Sequence, residues 1–238
     1  MPSLRGLSVL VSGATGGLGV PISRRLALEG AHLTLLGRNI SRLEALRLDA
    51  TLVTGDLRDP ETADRAEAVA VAAYGRLDGL VVASGVVAFG PLGDLPDEAL
   101  TDLFLINTLA PIRLLRAALP HLTQSARDGR SPFVVHLSAI VAEHPTAGMA
   151  AYSASKAALT AYDAAASREL RRAGVRLLDA RPPHTETGLA QRPLAGTAPR
   201  LPPGLDPDPV AARVIAALLD DERDLPSAAF GSSRSSAR

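Results

Sequence analysis

Leu7-Ser8-Val9-Leu10-Val11-Ser12-Gly13-Ala14-Thr15-Gly16-Gly17-Leu18-Gly19 is the stretch whose reading decides the fold. Residues 7–11 form a short apolar run of the kind a buried strand needs. Ser12 to Gly19 follow without a break, and an amphipathic segment over residues 22–29 then closes on Gly30. The order is strand, glycine loop, helix. Glycines let a backbone turn tightly and approach a pyrophosphate, and the free N–H groups of a helix N-terminus add partial positive charge. A glycine-rich run alone can be an ordinary turn. Its position between a first strand and a first helix is what points to phosphate binding.

Working outward, the chain keeps alternating. Residues 32–36, 50–54, 77–83, 132–137 and 175–180 read as further strands, with a short last strand expected over 225–230. Helices are expected over 41–48, from an Asp59-Pro60-Glu61 start to residue 74, from a capping site at residues 94–97 to residue 124, and over 151–173. Pro111 is expected to kink the third of these. A last helix over 210–219 is expected to be capped at Asp208-Pro209. This alternation predicts an α/β protein: a single Rossmann-like, doubly wound parallel sheet with helices on both faces. Residues 1–230 read as one domain. Residues 188–207, rich in Pro and Gly, read as a loop or lid over the site, and the Ser/Arg-rich residues 231–238 as a disordered tail.

Composition removes several function classes. The 238 residues suffice for one large core, which must be aliphatic because aromatics are 3% of the chain. Formal net charge is zero, so a general electrostatic pull on nucleic acid or an anionic membrane is not expected. The absence of cysteine excludes disulfides and thiol chemistry, and the five histidines show no metal-ligand spacing, so no metal site is expected. The N-terminus has no signal-peptide pattern, and no apolar run approaches the roughly 20 residues of a membrane span. A soluble cytoplasmic protein is the expectation.

The chemistry concentrates in Ala151-Tyr152-Ser153-Ala154-Ser155-Lys156. Tyr152 and Lys156 are four apart and share a helix face. A cation one turn from a phenol favours the phenolate, so Tyr152 is a candidate general acid/base whose pKa Lys156 is expected to lower. Lys156 is the sole lysine of the chain; every other basic side chain at neutral pH is arginine. That choice suggests a task suited to a compact, tunable ammonium rather than a planar guanidinium. Asn107 lies mid-helix, where asparagine is mildly unfavourable. Ser138 falls at the C-terminal end of the fifth strand, where ligands bind in open parallel sheets. At the end of the second strand stand Gly37 and Arg38 with no carboxylate. A carboxylate there would suit ribose hydroxyls, whereas an arginine accommodates a 2′-phosphate, so NADP(H) is favoured over NAD(H).

These residues resemble the short-chain dehydrogenase/reductase family, over residues 7–230. Gly13-x-x-x-Gly17-x-Gly19 matches its glycine motif, and Asn107, Ser138, Tyr152 and Lys156 match its Asn-Ser-Tyr-Lys tetrad in order and spacing. Asp56-Leu57 matches the pair that touches adenine, and Pro182 with Thr187 the segment that binds the nicotinamide carboxamide. The resemblance implies cofactor contacts from Gly13, Thr15, Gly16, Gly17, Leu18, Gly19, Arg38, Asp56, Leu57, Ala83, Ser84, Gly85, Tyr152, Lys156, Pro182, Thr185 and Thr187. Substrate contacts are expected from Ile140, His144, Met149 and His184, against an otherwise apolar wall of Val86, Val87, Phe89, Val141 and Leu189. The chain departs from the family pattern at Val82-Ala83-Ser84-Gly85, where the family has Asn-Asn-Ala-Gly. Ala83 must therefore leave a strand-tying role to other groups. Pro183 replaces a glycine, Gly16 stands where NADP-binding members often carry a basic residue, and a C-terminal Gly-Gly is missing.

What the resemblance implies is hydride transfer between a nicotinamide and a carbonyl or alcohol carbon of a small molecule. Ser138 would position the substrate oxygen, Tyr152 would exchange its proton, Lys156 would hold ribose hydroxyls, and Asn107 would hold a relay water. It also implies a homodimer or homotetramer, through the helices around residues 103–119 and 151–173. Two other readings stand beside it. One is an enzyme of the same fold without net redox, such as a dehydratase, epimerase or cyclase. The other is an inactive cofactor-binding sensor.

Overall fold

A computed structural model describes residues 3–231 of the chain. Seven strands form one sheet: β1 (Ser8–Ser12), β2 (His32–Gly37), β3 (Ala50–Thr54), β4 (Gly79–Val82), β5 (Phe133–Leu137), β6 (Arg176–Ala180) and β7 (Asp224–Leu225). Their order across the sheet is β3-β2-β1-β4-β5-β6-β7, and every pairing is parallel. The helices are α1 (Gly19–Leu28), α2 (Ile40–Glu44), α3 (Glu61–Tyr74), α4 (Asp97–Phe104), α5 (Ala110–Arg127), α6 (Ile140–Glu143), α7 (Ala150–Arg172) and α8 (Pro207–Leu219). The chain winds from β1 outward to β3, then returns to place β4 on the other side of β1. That reversal opens a crevice at the carboxyl ends of β1 and β4.

Both sheet faces are buried, which is why the strands read as apolar runs. Val9, Val11, Leu33 and Leu35 pack with Ile22 and Leu26 of α1 and Val214 and Leu218 of α8. Leu10, Leu80, Val134 and Leu177 point the other way, into Ala66 and Ala70 of α3, Leu114 and Leu122 of α5 and Leu170 of α7. A third cluster, which includes Val87, Phe89, Leu103, Val141 and Tyr152, sits beside the crevice.

Several expected elements change on folding. The long third helix is uninterrupted but not uniformly wound. It runs as α4, a π-turn over Leu105–Leu109 and α5, with Pro111 in the first turn of α5. The Ala110 N–H reaches back to Leu105 O, and this wider turn accommodates the missing N–H of Pro111 without a break. The cap of α8 is Asp206, whose side chain accepts from Asp208 N, rather than Asp208. Two prolines follow that cap and pre-set the first turn. The expected last strand shrinks to β7, followed by a 3-10 turn over Ser227–Phe230. The expected disordered tail lies, apart from Gly231, outside the described residues.

The stretch Asp97–Arg127 is long and apolar enough to cross a membrane by length and composition, contrary to the expectation that no run would be. Half of its most apolar window is buried inside the protein. Leu103, Leu114, Leu115, Ala118 and Leu122 supply that packing, so its apolar side is directed at the sheet.

Candidate active site

The glycine loop owes its shape to close backbone approach. Gly13 has φ +72°, and a Cβ there would lie 2.5 Å from Ser84 N. A Cβ on Gly17 would lie 2.4 Å from the Thr187 side chain. The loop therefore nests against the ends of β4 and β6, a fit that no larger residue could make.

The strand tie expected of other groups than Ala83 is present. Ser12 Oγ and Ser84 Oγ lie 3.2 Å apart across the ends of β1 and β4, and Ala83 N donates to Ser12 O at 2.9 Å. Ser84 was read from the sequence as part of a departure and as a cofactor contact, not as a tie between strands. Its hydroxyl is what joins the two strands at the floor of the crevice.

One cavity of about 580 Å³ runs from this loop to the catalytic candidates. Of the expected cofactor residues, Gly13, Thr15, Gly16, Gly17, Leu18, Arg38, Asp56, Leu57, Ala83, Ser84, Gly85, Tyr152, Lys156, Pro182, Thr185 and Thr187 line it. Gly19 does not. It is buried under the loop, where a Cβ would collide with Gly13 O, so it serves loop closure rather than contact. Ile140, Met149 and His184 line the substrate end together with the expected apolar wall. His144 does not line the cavity: it is exposed at the C-terminal end of α6, with its N–H directed at Ile140 O. Residues 188–207 do cover the site, since Leu189, Ala190, Arg192, Leu194 and Leu201 line the same cavity. Backbone bonds from Leu194 N to Val87 O and from Phe89 N to Ala195 O tie this segment down.

Two arginines missed in the sequence also border the glycine-loop end. Arg42 lines the cavity and donates to Thr15 O at 3.1 Å, beside the exposed Arg38. Arg58 lines it too and bridges Asp56 to Asp102 of α4, with distances of 3.1 and 2.7 Å. The Asn39 cap of α2 is what places Arg42, three residues on, against the loop.

Asn107 lies in the π-turn, one layer behind the wall. Its Oδ1 accepts from Val86 N at 2.9 Å, and its Nδ2 donates to Val86 O at 2.9 Å and to Ser155 Oγ at 3.0 Å. The side chain thereby pins the segment after β4 to α7, leaving one acceptor position on Oδ1. Ser138 follows β5 directly. Its N–H donates to Ala180 O, and its Oγ lies 2.8 Å from Thr160 Oγ1 and 3.5 Å from Lys156 O.

Tyr152 and Lys156 are both buried on α7, at 7% and 4% exposure. Lys156 Nζ donates to Leu137 O at 2.8 Å. The expected lowering of the phenol does not hold in this state of the protein. Burial pushes the Tyr152 phenol up to about 12. Burial likewise pulls the Lys156 ammonium down to about 8, against the attraction of Asp179 and Asp163. The reason is desolvation: taking a charge out of water outweighs a neighbour whose own charge is weakened by burial. Tyr152 therefore holds its proton at neutral pH, the form needed to donate one.

The geometry has two ends: a glycine-loop nest with arginines, and a tyrosine and lysine that face the same cavity as a serine 14 and 18 residues before them in sequence. The short chain dehydrogenase family model matches residues 8–196. The 1-deoxy-11-beta-hydroxypentalenate dehydrogenase of Streptomyces exfoliatus is 32% identical over 204 residues, 81% of this chain and 71% of its own. Two solved structures share the fold. A 3-ketoacyl-(acyl-carrier-protein) reductase from Brucella melitensis, complexed with NADH, has a TM-score of 0.85 at 21% identity and covers 96% of this chain and 99% of its own. A short chain dehydrogenase from Burkholderia cenocepacia in complex with NADP has a TM-score of 0.81 at 22% identity, with 95% and 90% covered. The chain belongs to the short-chain dehydrogenase family. Its class of reaction is the interconversion of a carbonyl and an alcohol.

Proposed function

We propose that this protein is an NADP(H)-preferring oxidoreductase that reduces the carbonyl of an apolar small molecule, with Tyr152 as the general acid. What carries the reading is the meeting of Tyr152, Ser138 and Lys156 in the cavity that also holds the glycine loop. The fit to a dinucleotide rests on the loop itself: Gly13 and Gly17 leave room that any Cβ would fill, and Arg38 and Arg42 stand at that end. A bound nicotinamide would supply the hydride. Gly13 to Leu18, Asp56, Leu57, Ala83 to Gly85, Pro182, Thr185 and Thr187 would hold the dinucleotide.

The chain's own residues do the rest. Ser138 orients the substrate oxygen by hydrogen bonding, and Tyr152 delivers a proton to that oxygen as its negative charge develops. A phenol held up at about 12 is fully protonated at neutral pH, which suits reduction better than oxidation. Lys156 is a buried donor beside the same cavity, and Asn107 fixes the segment between β4 and the wall. Val87, Phe89, Val141, Met149 and Leu189 make the substrate end apolar and exclude water.

The NADP(H) preference rests on this chain's residues, because neighbours of the same fold hold either NADH or NADP. Two arginines and no carboxylate at the end of β2 favour a 2′-phosphate. The test is a titration followed by reduced-nicotinamide fluorescence, which no tryptophan obscures. NADPH is expected to bind at least about tenfold tighter than NADH, or 1.4 kcal/mol. Arg38→Ala and Arg42→Ala are each expected to erase most of that difference while leaving NADH affinity unchanged. Tighter binding of NADH by the wild type would refute the NADP(H) proposal.

A further inference from the structure

The roof of the cavity carries a charge that the apolar end beneath it does not call for. Residues 188–207 line the cavity through Leu189, Ala190, Arg192, Leu194 and Leu201. Leu189, Ala190 and Leu194 pack in the cluster that holds Val87 and Phe89. Arg192 stands among them in the chain and lines the same cavity, yet it is exposed. Its guanidinium therefore sits at the mouth of the apolar end, part in the cavity and part in solvent.

Local bonds hold that guanidinium in place. Arg192 N donates to Leu189 O at 3.1 Å, and Arg192 Nε donates to Gly188 O at 3.0 Å. The side chain thus folds back over its own turn. A Cβ on Gly188 would lie 3.8 Å from Arg192 Nη2. Among the described residues, Nη1 and Nη2 have no hydrogen-bond partner, and Arg192 enters no ion pair. With Nε fixed on the backbone, the two Nη groups remain as a planar pair of donors, the shape that matches two carboxylate oxygens.

No acid nearby offsets the charge. Residues 187–205 contain neither Asp nor Glu. Glu186, just before them, accepts from Gly204 N at 2.7 Å and faces His184 at 3.4 Å. Among the described residues that line the cavity, Asp56 is the one carboxylate. It belongs to the nucleotide end and is paired there with Arg58 at 3.1 Å. That end also has cations of its own in Arg38 and Arg42.

We propose that Arg192 is a substrate-binding residue that holds a carboxylate, so that the preferred substrates are apolar ketones carrying one carboxylate. The proposal rests on the carbonyl-reduction reading of the site. Ser138 and Tyr152 fix the carbonyl, the apolar wall takes the hydrocarbon body, and Arg192 takes the anion at the mouth. Three separated contacts fix both the position and the direction of a small molecule. Phosphate oxygens share this chemistry, and the pyrophosphate of a dinucleotide is their source in this cavity. Thr187, five residues before Arg192, packs on Gly17 of the glycine loop. The apolar packing of Leu189, Ala190 and Leu194 around Arg192 favours the substrate.

The test measures kcat and KM for matched pairs, cyclic and aryl keto acids against their methyl esters, with saturating NADPH at neutral pH. Wild type, Arg192→Ala, Arg192→Lys and Arg200→Ala are compared, and NADPH affinity is titrated for each by fluorescence. The wild type is expected to prefer the acid by about tenfold in kcat/KM, carried by KM, because the contact is made equally in the ground and transition states. Arg192→Ala brings the ratio to about one. Arg192→Lys keeps about threefold, since a point charge does not bind both oxygens as a fork does. Arg200 lies on the same segment without lining this cavity, so Arg200→Ala keeps the wild-type ratio. Absence of acid preference in the wild type, its survival in Arg192→Ala, or its equal loss in Arg200→Ala overturns the proposal. A fall in NADPH affinity of Arg192→Ala with the acid preference intact also overturns it, and gives Arg192 to the cofactor phosphates. Calorimetry on the NADPH-loaded proteins, with the same acids and esters lacking the ketone, runs alongside. If none of the four proteins reduces a ketone, the carbonyl-reduction reading falls. Acid binding about tenfold tighter than ester binding, abolished by Arg192→Ala, then still supports a carboxylate site at Arg192, and equal binding of the two overturns it.

Discussion

Replacing Tyr152 with Phe is expected to lower kcat for carbonyl reduction by about a thousandfold and leave NADPH affinity within about twofold. The change deletes one oxygen from a side chain that is 7% exposed. The ring remains packed with Val87, Phe89, Leu103 and Val141, so the cavity keeps its shape. No hydrogen bond to the glycine loop or to the arginines is touched. What disappears is the proton that the proposed mechanism delivers to the substrate oxygen, which burial keeps on the phenol up to about pH 12. Stopped-flow turnover beside a binding titration separates the two quantities. A variant that turns over at the wild-type rate would remove Tyr152 from the chemistry. A variant that no longer binds NADPH would show Tyr152 to be part of the nest instead.

Gly13→Ala is expected to be the most damaging single change to the nucleotide end. Gly13 has φ +72°, a conformation that disfavours an L side chain by about 1–2 kcal/mol. The added methyl would also sit 2.5 Å from Ser84 N and 2.7 Å from Ser84 Cα, which are backbone atoms that cannot swing aside. Overpacking of that kind adds about 1–3 kcal/mol, so the loss of stability should reach about 3 kcal/mol, or roughly 10 °C in Tm. The displaced backbone is the floor on which Ser12 and Ser84 meet, so NADPH binding should fall with it. Gly129→Ala is the matching control. Gly129 has φ +78° and open space around it, so only the backbone preference, about 1 kcal/mol, applies. Equal melting shifts for the two variants would contradict the close-approach argument.

Much of the fold was legible because parallel sheets bury both faces, and buried strands announce themselves as apolar runs ended by Gly, Ser or Asp. The alternation with helices then fixed the class, and the ends of the strands marked the site. Tyr152, Ser138 and Lys156 could be placed on one crevice from spacing alone. Other features depend on contacts that sequence order does not express. The π-turn over Leu105–Leu109 arises where Pro111 meets a packed helix, and a proline in a helical pattern reads equally well as a kink. His144 was expected at the substrate end, but it stands exposed at the C-terminal end of the short α6. Gly19 belongs to the glycine motif yet packs beneath it.

The charged residues were the least legible. Arg42 became visible as a cavity residue only once α2 carried it back to Thr15. Asp163 lies in an alanine-rich helix and Asp179 in an apolar strand, and the sequence analysis singled out neither. Their meeting with His136 follows from the β5–β6 register and from the face that α7 presents, neither of which periodicity specifies. Glu143 holds Arg181 and Ser227 and so binds α6 to the 3-10 turn after β7, a role nothing in its sequence neighbourhood expresses.

The most direct test of the account is stoichiometry. Purified protein, NADPH and a panel of cyclic and aryl ketones are incubated together, and alcohol formed is measured against NADPH lost. The account predicts one alcohol for each NADPH oxidised. Conversion of a ketone with no net change in NADPH would contradict it and place the protein among enzymes of this fold that work without net redox.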